Sequence, residues 1–562
     1  MSIMSDLSPR GLPITRSRIE KIFPKLTSDQ ISRVASHGHI RTIQRDQILV
    51  EQGDTSVPFF VVVSGEIEIV QPTVGSTEII VTTYDAGQFT GELNTFSGRR
   101  ALFRWRVSKS GEVIEIDRQH MLALVQNDSE LGDIMMRAFV LRRLELVAAG
   151  MGDVVLIGSI HLADTSRIKE FLVRNGYPYS YIDLESYHDV ERMLDSFHIA
   201  CGDLPVLICR GEVVLRNPSN QEIANCLGFN DAIDQTKVRD LVIIGAGPSG
   251  LASAVYGASE GLDVLVIETG TPGGQAGSSS RIENYLGFPS GIAGQDLTGR
   301  AYLQAQKFGA EILISKCTRL ICERKPYIIE VENGSLIPAR TIVIAPGAEY
   351  RKLPLKNLSR FEGLGICYAT TLVDAQNCKG GEAIVVGGGN SAGQAAVFLA
   401  KRAKRVYMLI RSESLAKSMS RYLIRQIEET PTIVIQPNTE IVTLEGDKHL
   451  EFVICQNNQT GNTEEHKIEH VFLMTGADPN TRWLDGCVAL DNKGFIKTGQ
   501  DLSIEDLNAA GWPLARQPYL LETNLPGVFA VGDVRGGSIK RVASAVGEGS
   551  IAISFVHQLL RE

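Results

Sequence analysis

The chain has 562 residues, which at about 150 residues per domain predicts three to five folded units. Its 56 basic and 65 acidic side chains give a net charge of −9, which argues against broad binding to nucleic acid or to acidic membranes. No run approaches the ~18 apolar residues of a membrane span, and the first residues lack the apolar core of a secretory signal, so we expect a cytoplasmic protein. The nine cysteines include no C-x-x-C pair, so we expect neither a disulfide scaffold nor a metal site.

The first block, residues 1–150, combines strands with a long helical segment. Short alternating patterns separated by glycine turns over residues 40–117 predict a small β-barrel or jelly roll. From Arg118 to about Gly150, apolar residues recur every three or four positions, which predicts helix with a break near Asn127 and Asp128. We expect this helix to pack on its own barrel, with a dimer contact as the alternative.

Within this block, "GQFTGELNTFSGRRALFRWRV" resembles the phosphate-binding cassette of cyclic-nucleotide-binding domains. In that family a Gly-Glu pair holds the ribose hydroxyl, and an arginine followed by Ser or Thr holds the cyclic phosphate. Gly91 and Glu92 occupy the first pair of places, but the arginine place holds Ala101. Arg99 and Arg100 lie one or two residues early and could reach the phosphate. The resemblance implies the fold, whereas the displaced arginines argue against cyclic-nucleotide binding.

The second block, residues 151–230, alternates strands and helices. Its order, ending in "DLPVLIC" and "GEVVLRNP", resembles the thioredoxin and glutaredoxin fold, in which a cis proline, here Pro205, precedes a central strand. The dithiol of that fold belongs at the first helix, where "GSIHLADTSRIKEF" has no cysteine. We expect His161 to be a surface or capping residue and the domain to be a docking or spacer unit. The polar stretch "FNDAIDQTKVRD" then predicts a linker.

A dinucleotide-binding fingerprint follows in "DLVIIGAGPSGLASAVYGASEGLDVLVIE", which reads as strand, turn, helix and strand. The turn holds Gly245, Gly247, Pro248, Ser249 and Gly250, and the second strand ends at Glu268. The first glycine permits the tight turn, the second lets the backbone approach a pyrophosphate, and the third allows helix and strand to pack closely. The acid at the end of the second strand can accept a hydrogen bond from a ribose.

The unit "EAIVVGGGNSAGQAAVFLAKRAKRVYMLIRSES" repeats the pattern. Its turn holds Gly387, Gly389, Asn390, Ser391 and Ala392. The second strand runs into Arg411 rather than an acid, and a basic group there suits a 2′-phosphate, so NADPH is favoured and NADH is the alternative. Two dinucleotide sites in one chain predict a bound flavin that exchanges hydride with a nicotinamide.

Four more motifs occur in the order of one family. They are "TPGGQAGSSSRIENYLGFP", "TIVIAPGA", "MTGADPNT" and "GVFAVGDVRGGSIKRVASAVGEG". Together with the two fingerprints they resemble the low-molecular-weight thioredoxin reductases and related flavoproteins, over roughly residues 238–562. That family inserts its NAD(P)H domain into its FAD domain, which implies FAD-domain segments at 231–349 and 478–562 around an NAD(P)H domain at 350–477. We expect a multidomain homodimer with two Rossmann-like domains after the barrel and the thioredoxin-like domain.

The same resemblance implies further contacts to FAD. Outside the first turn and its acid, they fall on Gly274, Gln275, Asn284, Gly347, Asp533, Arg541, Val542 and Ala543. Asp533 would accept hydrogen bonds from the ribityl hydroxyls. The helix that starts at Val542 would direct its N-terminus at the isoalloxazine ring, where positive potential stabilises the reduced form.

The family's NADP-binding signature, His-Arg-Arg with a later arginine, is only partly present. Arg411 is kept, while Ser412 and Ala416 occupy the other arginine places. Lys417 or Arg421 could substitute for the missing arginines.

The redox dithiol of the thioredoxin reductases is missing. They carry Cys-Ala-Thr-Cys just before the second fingerprint and pass electrons through it by thiol exchange, whereas "CYATT" stands here. Cys367 and Cys378 could pair only if their Cα atoms lay within about 7 Å, and we expect two unlinked thiols. Cys317 and Cys322 are expected to be simple core residues.

The sequence therefore predicts an FAD-dependent NAD(P)H oxidoreductase whose acceptor meets the flavin directly. A quinone, an iron-sulfur protein, a metal complex or oxygen would suit. Two alternatives stay open: a thioredoxin-disulfide reductase that uses other cysteines, and a regulatory or redox-sensing flavoprotein that acts through partner binding.

Overall fold

The computed structural model describes residues 16–561 except for 56, 73–77, 92, 93, 96, 97, 160, 161, 185–202, 211, 212, 232, 280, 283, 356, 363, 369, 371–374, 376, 377, 417, 448 and 485. Glu92, His161, Lys417 and the helix expected at "DVERMLDSF" lie outside these described residues.

The N-terminal unit is an antiparallel sheet covered by helices. Its strands are β1 His39–Ile43, β2 Ile48–Val50, β3 Phe59–Pro72, β4 Glu78–Asp85 and β5 Arg104–Ile116, in the order β1-β5-β3-β4 with β2 also on β5. Alternate residues of β3 enter different cores: Phe60 and Val62 face one, and Phe59 and Val61 face another. Burial on both faces explains the continuous apolar run, and the β-rich fold predicted for residues 40–117 is confirmed as an antiparallel sheet.

The helices of this unit pack on the second of those cores or on one another. They are α1 Arg16–Ile22, α2 Ser28–Ala35, α3 Arg118–Asn127 and α4 Ser129–Ala149. The predicted break is confirmed, because Asp128 has extended backbone and its carboxylate accepts from the Leu131 N–H (3.0 Å), which caps α4. Gly150, at φ 61°, ends α4 in the left-handed conformation.

Arg142 connects α4 to Gly91, in the segment that resembles a phosphate-binding cassette. Its side chain is among the most buried in the unit, at 2% exposure. The guanidinium donates to the Ile22 carbonyl (3.0 Å) and the Gly91 carbonyl (2.8 Å), and its carbon lies 4.8 Å from the centre of the Phe89 ring. A buried, hydrogen-bonded cation therefore fixes the backbone at Gly91.

The middle unit is a mixed sheet with two helices on the described residues. Its elements are β6 Val154–Gly158, α5 Ala163–Arg174, β7 Ser180–Asp183, β8 Val206–Cys209, β9 Val213–Arg216 and α6 Asn220–Cys226. The strand order is β7-β6-β8-β9, with β7 parallel to β6 and the other pairs antiparallel. The bond Leu204–Pro205 is cis, as expected. This arrangement agrees with the thioredoxin-like prediction.

The segment predicted to be a linker is instead packed. Phe229 is buried and stacks on Phe171 with ring centres 6.1 Å apart. Asn230 exchanges two hydrogen bonds with Ile314 of the next unit, at 3.0 and 2.9 Å. The linker prediction was wrong for these residues. The Phe229 ring is buried and the Asn230 amide is hydrogen-bonded, although most of the neighbouring residues are polar.

The next unit is a Rossmann-like layer. Its elements are β10 Arg239–Ile244, α7 Pro248–Ser259, β11 Val264–Glu268, α8 Gly274–Ser278, α9 Gly294–Lys307, β12 Glu311–Ile314, β13 Cys317–Ile321, β14 Tyr327–Val331 and β15 Leu336–Ile344. The order is β12-β11-β10-β15-β14-β13, parallel from β12 to β15 and antiparallel in the β13–β15 meander. The glycine turn therefore leaves the carboxyl end of a central strand.

A second Rossmann-like unit follows. Its elements are β16 Ala348–Tyr350, α10 Leu358–Phe361, β17 Ile366–Cys367, β18 Glu382–Val386, α11 Asn390–Leu399, β19 Arg405–Ile410, α12 Arg421–Glu428, β20 Ile433–Pro437, β21 Thr439–Glu445, β22 Phe452–Asn457, β23 Thr463–His466, β24 His470–Leu473 and β25 Ala477–Pro479. The parallel sheet has the order β17-β24-β18-β19-β20, and β21 to β23 form a separate meander. The short antiparallel pair β16-β25 joins the entry and exit chains of this unit.

The chain then returns to the first Rossmann-like unit. It adds α13 Ile504–Ala509, β26 Val528–Ala530 and α14 Val542–Arg561. β26 pairs in parallel with β15, with Val343 opposite Phe529, and α14 packs on α7. The predicted insertion of one dinucleotide domain into the other is therefore visible in the strand order. Among the described residues, no helix is both long and apolar enough to cross a membrane.

One cysteine departs from the prediction. Cys322 was expected to be a simple core residue, but it is joined to Cys487 as a disulfide whose Cα atoms lie 6.2 Å apart. The two residues are 165 positions apart in sequence, and the pairing follows from the return of the chain to this unit. Cys317 is a buried free thiol, as expected.

Replacement of Arg142 by Met should loosen the N-terminal unit. The change keeps the apolar length but leaves the buried carbonyls of Ile22 and Gly91 without this donor, which costs about 2 kcal/mol or more of local stability. Hydrogen exchange of the β3 and β5 amides should become faster by an amount that matches this loss. Arg137→Met is the control, because Arg137 lies on the exposed side of the same helix and pairs only with Asp133 among the described residues. Equal exchange in both variants would contradict this role of Arg142.

Candidate functional site

The first glycine turn joins β10 to α7 by a very close approach. Gly245 has φ 101°, and a Cβ at this position would collide with the Ala345 carbonyl oxygen. A Cβ at Gly250 would collide with the Gly245 carbonyl oxygen. At Gly247, by contrast, no heavy atom lies within 4 Å of such a Cβ. The turn is therefore closed on the strand side and open in front of the helix N-terminus, which is the shape that a pyrophosphate needs.

The rest of the turn supports the start of α7. Pro248 stands at the first helical position, where its missing N–H has no cost. Ser249 is buried and lies against the turn at Gly532, since a Cβ at Gly532 would come within 2.6 Å of the Ser249 hydroxyl. The turn that starts α7 and the C-terminal segment therefore meet at one point.

Glu268 lies at the end of β11, beside this turn. One carboxylate oxygen accepts from the Ala246 N–H (2.7 Å) and the other from the Gly270 N–H (3.0 Å). Loss of solvation raises the pKa of the Glu268 carboxyl above its usual value, against the opposing effect of these two N–H groups. The acid is thus fixed in the place where a dinucleotide presents its ribose.

The segment expected to line the flavin approaches the same turn. Gly274 has φ 53°, and a Cβ there would lie 3.0 Å from the Gly247 Cα. The Gln275 side-chain amide donates to the Ala348 carbonyl. Gly347 has φ 68° and open space where a Cβ would stand. Asn284 is exposed on the loop between α8 and α9.

The C-terminal segment completes the cleft. The Asp533 carboxyl is half-buried, burial raises its pKa, and no described residue donates a hydrogen bond to it. Val542 begins α14 and packs against the small apolar cluster at α8 that includes Ala276. Arg541 and Ala543 flank it and are exposed. The start of α14 therefore lies next to the flavin-lining segment.

These features fit FAD. The backbone is open at Gly247 and Gly347, and Asp533 is an acceptor that has no donor among the described residues. Hydroxyl groups of a ribityl chain would satisfy such a carboxylate.

Glu548 in α14 was not singled out from the sequence. Its carboxylate accepts from the Gly532 N–H (2.7 Å) and pairs with Arg535 (2.6 Å), so it holds the turn that carries Asp533. The acid lies in the motif "AVGEG", but its position in a helix gave no sign that it folds back on the preceding turn.

The second glycine turn repeats the geometry of the first. Gly387 has φ 139°, and a Cβ there would collide with the Met474 carbonyl oxygen, while Gly389 faces open space. Ala392 is fully buried in the core below α11. The Asn390 side chain accepts from the Ser420 N–H (2.8 Å), and Ser391 is exposed at the first turn of the helix. The end of β18 thus also presents a helix N-terminus to solvent.

Two arginines flank this second turn. Arg411 is exposed directly after β19, and Arg421 is exposed at the start of α12. Neither has an ion-pair partner among the residues that the structure describes. Both guanidinium groups are therefore available to an anion such as a 2′-phosphate.

The two cysteines near the expected dithiol position do not form a disulfide. Cys367 on β17 is half-buried and Cys378 is fully buried, and both lie in the apolar core of this unit. The hydroxyl of Tyr368 donates to the Glu362 carboxylate (2.5 Å). The expectation that they do not pair as a disulfide is confirmed.

The candidate cyclic-nucleotide residues are arranged differently from expectation. The carbonyl of Gly91 accepts from Arg142. Arg99 is buried at 7% exposure and donates to the Asn175 carbonyl (3.1 Å) and the Tyr302 hydroxyl (2.9 Å) of other units. Arg100 pairs with Asp231 (2.6 Å). Both guanidinium groups are engaged between units, which argues against the prediction that they hold a cyclic phosphate.

No group of three or more His, Cys, Asp or Glu side chains that could hold a metal ion occurs in the described part of the chain.

Comparisons with known proteins cover both glycine turns. A family model of the pyridine nucleotide-disulphide oxidoreductases matches residues 239–549, and a model of the cyclic nucleotide-binding domain matches residues 40–128. Thioredoxin reductase of Bacillus subtilis (strain 168) is 31% identical over 330 residues, which span 59% of this chain and 97% of that protein. A 34.2 kDa protein in the rubredoxin operon of Clostridium pasteurianum is 31% identical over 319 residues, 57% of this chain and 96% of that protein.

Solved structures give the same result. Thioredoxin reductase of Lactococcus lactis in its FR conformation has a TM-score of 0.51 at 27% identity, covering 57% of this chain and 99% of that one. Thioredoxin reductase of T. acidophilum has a TM-score of 0.51 at 26% identity, covering 58% of this chain and all of that one, at 100%. The chain therefore belongs to the pyridine nucleotide-disulphide oxidoreductase family, in which it is related to the thioredoxin reductases and carries a cyclic nucleotide-binding domain ahead of the shared region.

Proposed function

We propose that this protein is an FAD-dependent oxidoreductase that passes electrons from NADPH to an acceptor other than a protein disulfide. The observation that carries the proposal is the run "YATT" at 368–371, which stands where thioredoxin reductases have Cys-Ala-Thr-Cys. The neighbouring cysteines Cys367 and Cys378 support it, because neither is part of a disulfide and both pack in an apolar core.

The first Rossmann-like unit supplies the FAD site. FAD, when bound, provides two-electron chemistry with a nicotinamide and one- or two-electron chemistry with an acceptor. Backbone N–H groups of the turn from Gly245 to Gly250 would bind the pyrophosphate. Glu268 would accept from the adenine ribose, and Asp533 from the ribityl hydroxyls. The positive end of α14, at Val542, would stabilise negative charge beside the flavin-lining segment.

The second Rossmann-like unit supplies the NADPH site. The turn around Gly389 presents the N-terminus of α11, and Arg411 and Arg421 stand on either side as unpaired cations among the described residues. A guanidinium group recognises a 2′-phosphate by charge-assisted hydrogen bonds that the ribose hydroxyl of NADH cannot match. This arrangement favours NADPH over NADH.

The acceptor would meet the flavin without an intervening dithiol. A quinone, an iron-sulfur protein, a metal complex or oxygen can each take electrons from a flavin directly. The relative in a rubredoxin operon makes an iron-containing electron carrier a useful member of the test panel. The homodimer expected for this family remains a prediction.

Disulfide reduction through other cysteines is the second candidate. It is favoured by the relatives that are thioredoxin reductases, and by the bond between Cys322 and Cys487, which are both half-buried rather than enclosed. Thiol exchange needs such access.

Replacement of Gly250 by Ala should prevent FAD binding. The added methyl collides with the Gly245 carbonyl oxygen, so α7 must move away from β10 and the turn opens. We expect the purified variant to hold less than about a tenth of the flavin per chain that the parent protein holds, measured by visible absorbance. Gly299→Ala is the matched control, because Gly299 lies in α9 with no heavy atom within 4 Å of the added Cβ. A flavin content for Gly250→Ala equal to that of the control would count against this site.

Replacement of Arg411 by Ala should change cofactor selectivity. Loss of a guanidinium contact to the 2′-phosphate should raise KM for NADPH about tenfold and leave KM for NADH unchanged. Steady-state assays with both nucleotides measure the ratio. Arg425→Ala serves as control, since Arg425 is an exposed arginine of α12 that pairs with Glu429. A parallel rise with both nucleotides would contradict recognition of the 2′-phosphate.

Serine variants of the cysteines separate the two candidate functions. Cys367→Ser and Cys322→Ser should each keep the rate with a quinone or a metal-complex acceptor within about twofold, because neither sulfur atom lies on the proposed route. Reduction of thioredoxin should be absent in the parent protein and in both variants. Thioredoxin reduction in the parent that is lost in Cys322→Ser would establish the second candidate instead.

A further inference from the structure

Arg174, at the end of α5 in the middle unit, reaches the flavin-lining segment. Its guanidinium donates to the Gly274 carbonyl (2.8 Å) and to the Ser278 hydroxyl (3.4 Å), and it pairs with Glu170 one turn earlier (2.9 Å). The side chain is only 13% exposed. A Cβ at Gly277 would lie 2.9 Å from the guanidinium, so glycine at that position permits the approach.

The contact falls beside the expected FAD contacts. Gly274 directly precedes Gln275 and lies against Gly247 of the first turn. The charge of Arg174 also acts on Glu268, where it favours the ionised carboxylate. One side chain from the middle unit therefore contacts the segment that lines the flavin, and its charge also acts on the acid assigned to the adenine ribose.

The N-terminal unit holds the same helix end from the other side. Arg99 donates to the carbonyl of Asn175, the residue after Arg174, and to the hydroxyl of Tyr302 on α9. Its guanidinium carbon lies 3.7 Å from the centre of the Phe229 ring. Hydrogen bonds from a charged donor contribute more than neutral ones when buried, and stacking on an aromatic face adds to them. The end of α5 is thus held by the buried guanidinium of Arg99, while its own Arg174 extends to the flavin-lining segment.

We propose that Arg174 is a positioning residue for FAD, and that Arg99 couples the N-terminal domain to the flavin site by holding the end of α5. The proposal rests on the FAD site of the proposed function. It gives a role to the middle unit, which has no dithiol at its first helix. That helix, α5, carries the contact of Arg174 with the flavin-lining segment. It also gives Arg99 a role in the absence of a cyclic nucleotide.

Arg174→Ala tests the first half of the proposal. We expect FAD to dissociate about tenfold more readily from this variant, measured as the dissociation constant of FAD from reconstituted apoprotein. In the apoprotein, amide exchange over residues 274–278 should be faster than in the parent. Arg174→Lys keeps the charge and one donor and should recover part of both effects. Arg137→Ala, an exposed arginine of the N-terminal unit paired with Asp133, should resemble the parent.

Arg99→Ala tests the coupling. It changes no atom of the flavin site, yet we expect about threefold weaker FAD binding and faster exchange at 274–278, in the same direction as Arg174→Ala. The double variant should be no worse than Arg174→Ala alone, because both act through one helix end.

Two outcomes would overturn the proposal. If Arg174→Ala and Arg137→Ala have the same FAD affinity and the same exchange at 274–278, Arg174 does not position the segment. If Arg99→Ala leaves that exchange unchanged, the N-terminal domain is not coupled to it. A parent protein that cannot be loaded with FAD would instead contradict the proposed function, while exchange in its apoprotein would still report on Arg174.

Discussion

The close packing of α7 against β10 at the first glycine turn is the contact on which the FAD unit depends. Gly245 and Gly250 allow backbone atoms to touch where any side chain would separate them, so the helix N-terminus stands directly in front of the sheet. Most of α7 is buried, and α14 packs along it. The returning C-terminal segment, with Asp533 and Glu548, is therefore placed by the same contact that shapes the pyrophosphate turn.

The inserted unit repeats this turn and has two cysteines in its apolar core. That core is closed by alanine and aliphatic side chains, and Cys367 and Cys378 are part of it. A thiol pair that exchanges with flavin and then with a partner must move between two environments. Packing in an apolar core keeps these two cysteines in a single environment. In the function proposed above, the chain keeps the two nucleotide sites of its family and passes electrons to its acceptor without a dithiol.

Local signals predicted much of this architecture. The break before α4 follows from the capping side chain of Asp128, and the two Rossmann-like turns follow from glycines whose spacing has one structural solution. Contacts between segments that are distant in sequence could not be predicted from local patterns. Nothing near Arg99 indicates that Asn175 and Tyr302 would be its partners, and Cys322 and Cys487 are brought together only because the chain returns to the first sheet. The burial of Phe229 was not predicted because its polar neighbours outweigh one aromatic ring in the local composition.

An anaerobic reductive titration tests the central claim most directly. The oxidised protein, loaded with FAD, is titrated with NADPH or dithionite while the flavin absorbance is followed. Without a dithiol in electronic contact with the flavin, we expect complete reduction after two electrons per FAD. A requirement for four electrons per FAD would show that a disulfide of this chain takes part, and would contradict direct transfer from flavin to a non-disulfide acceptor.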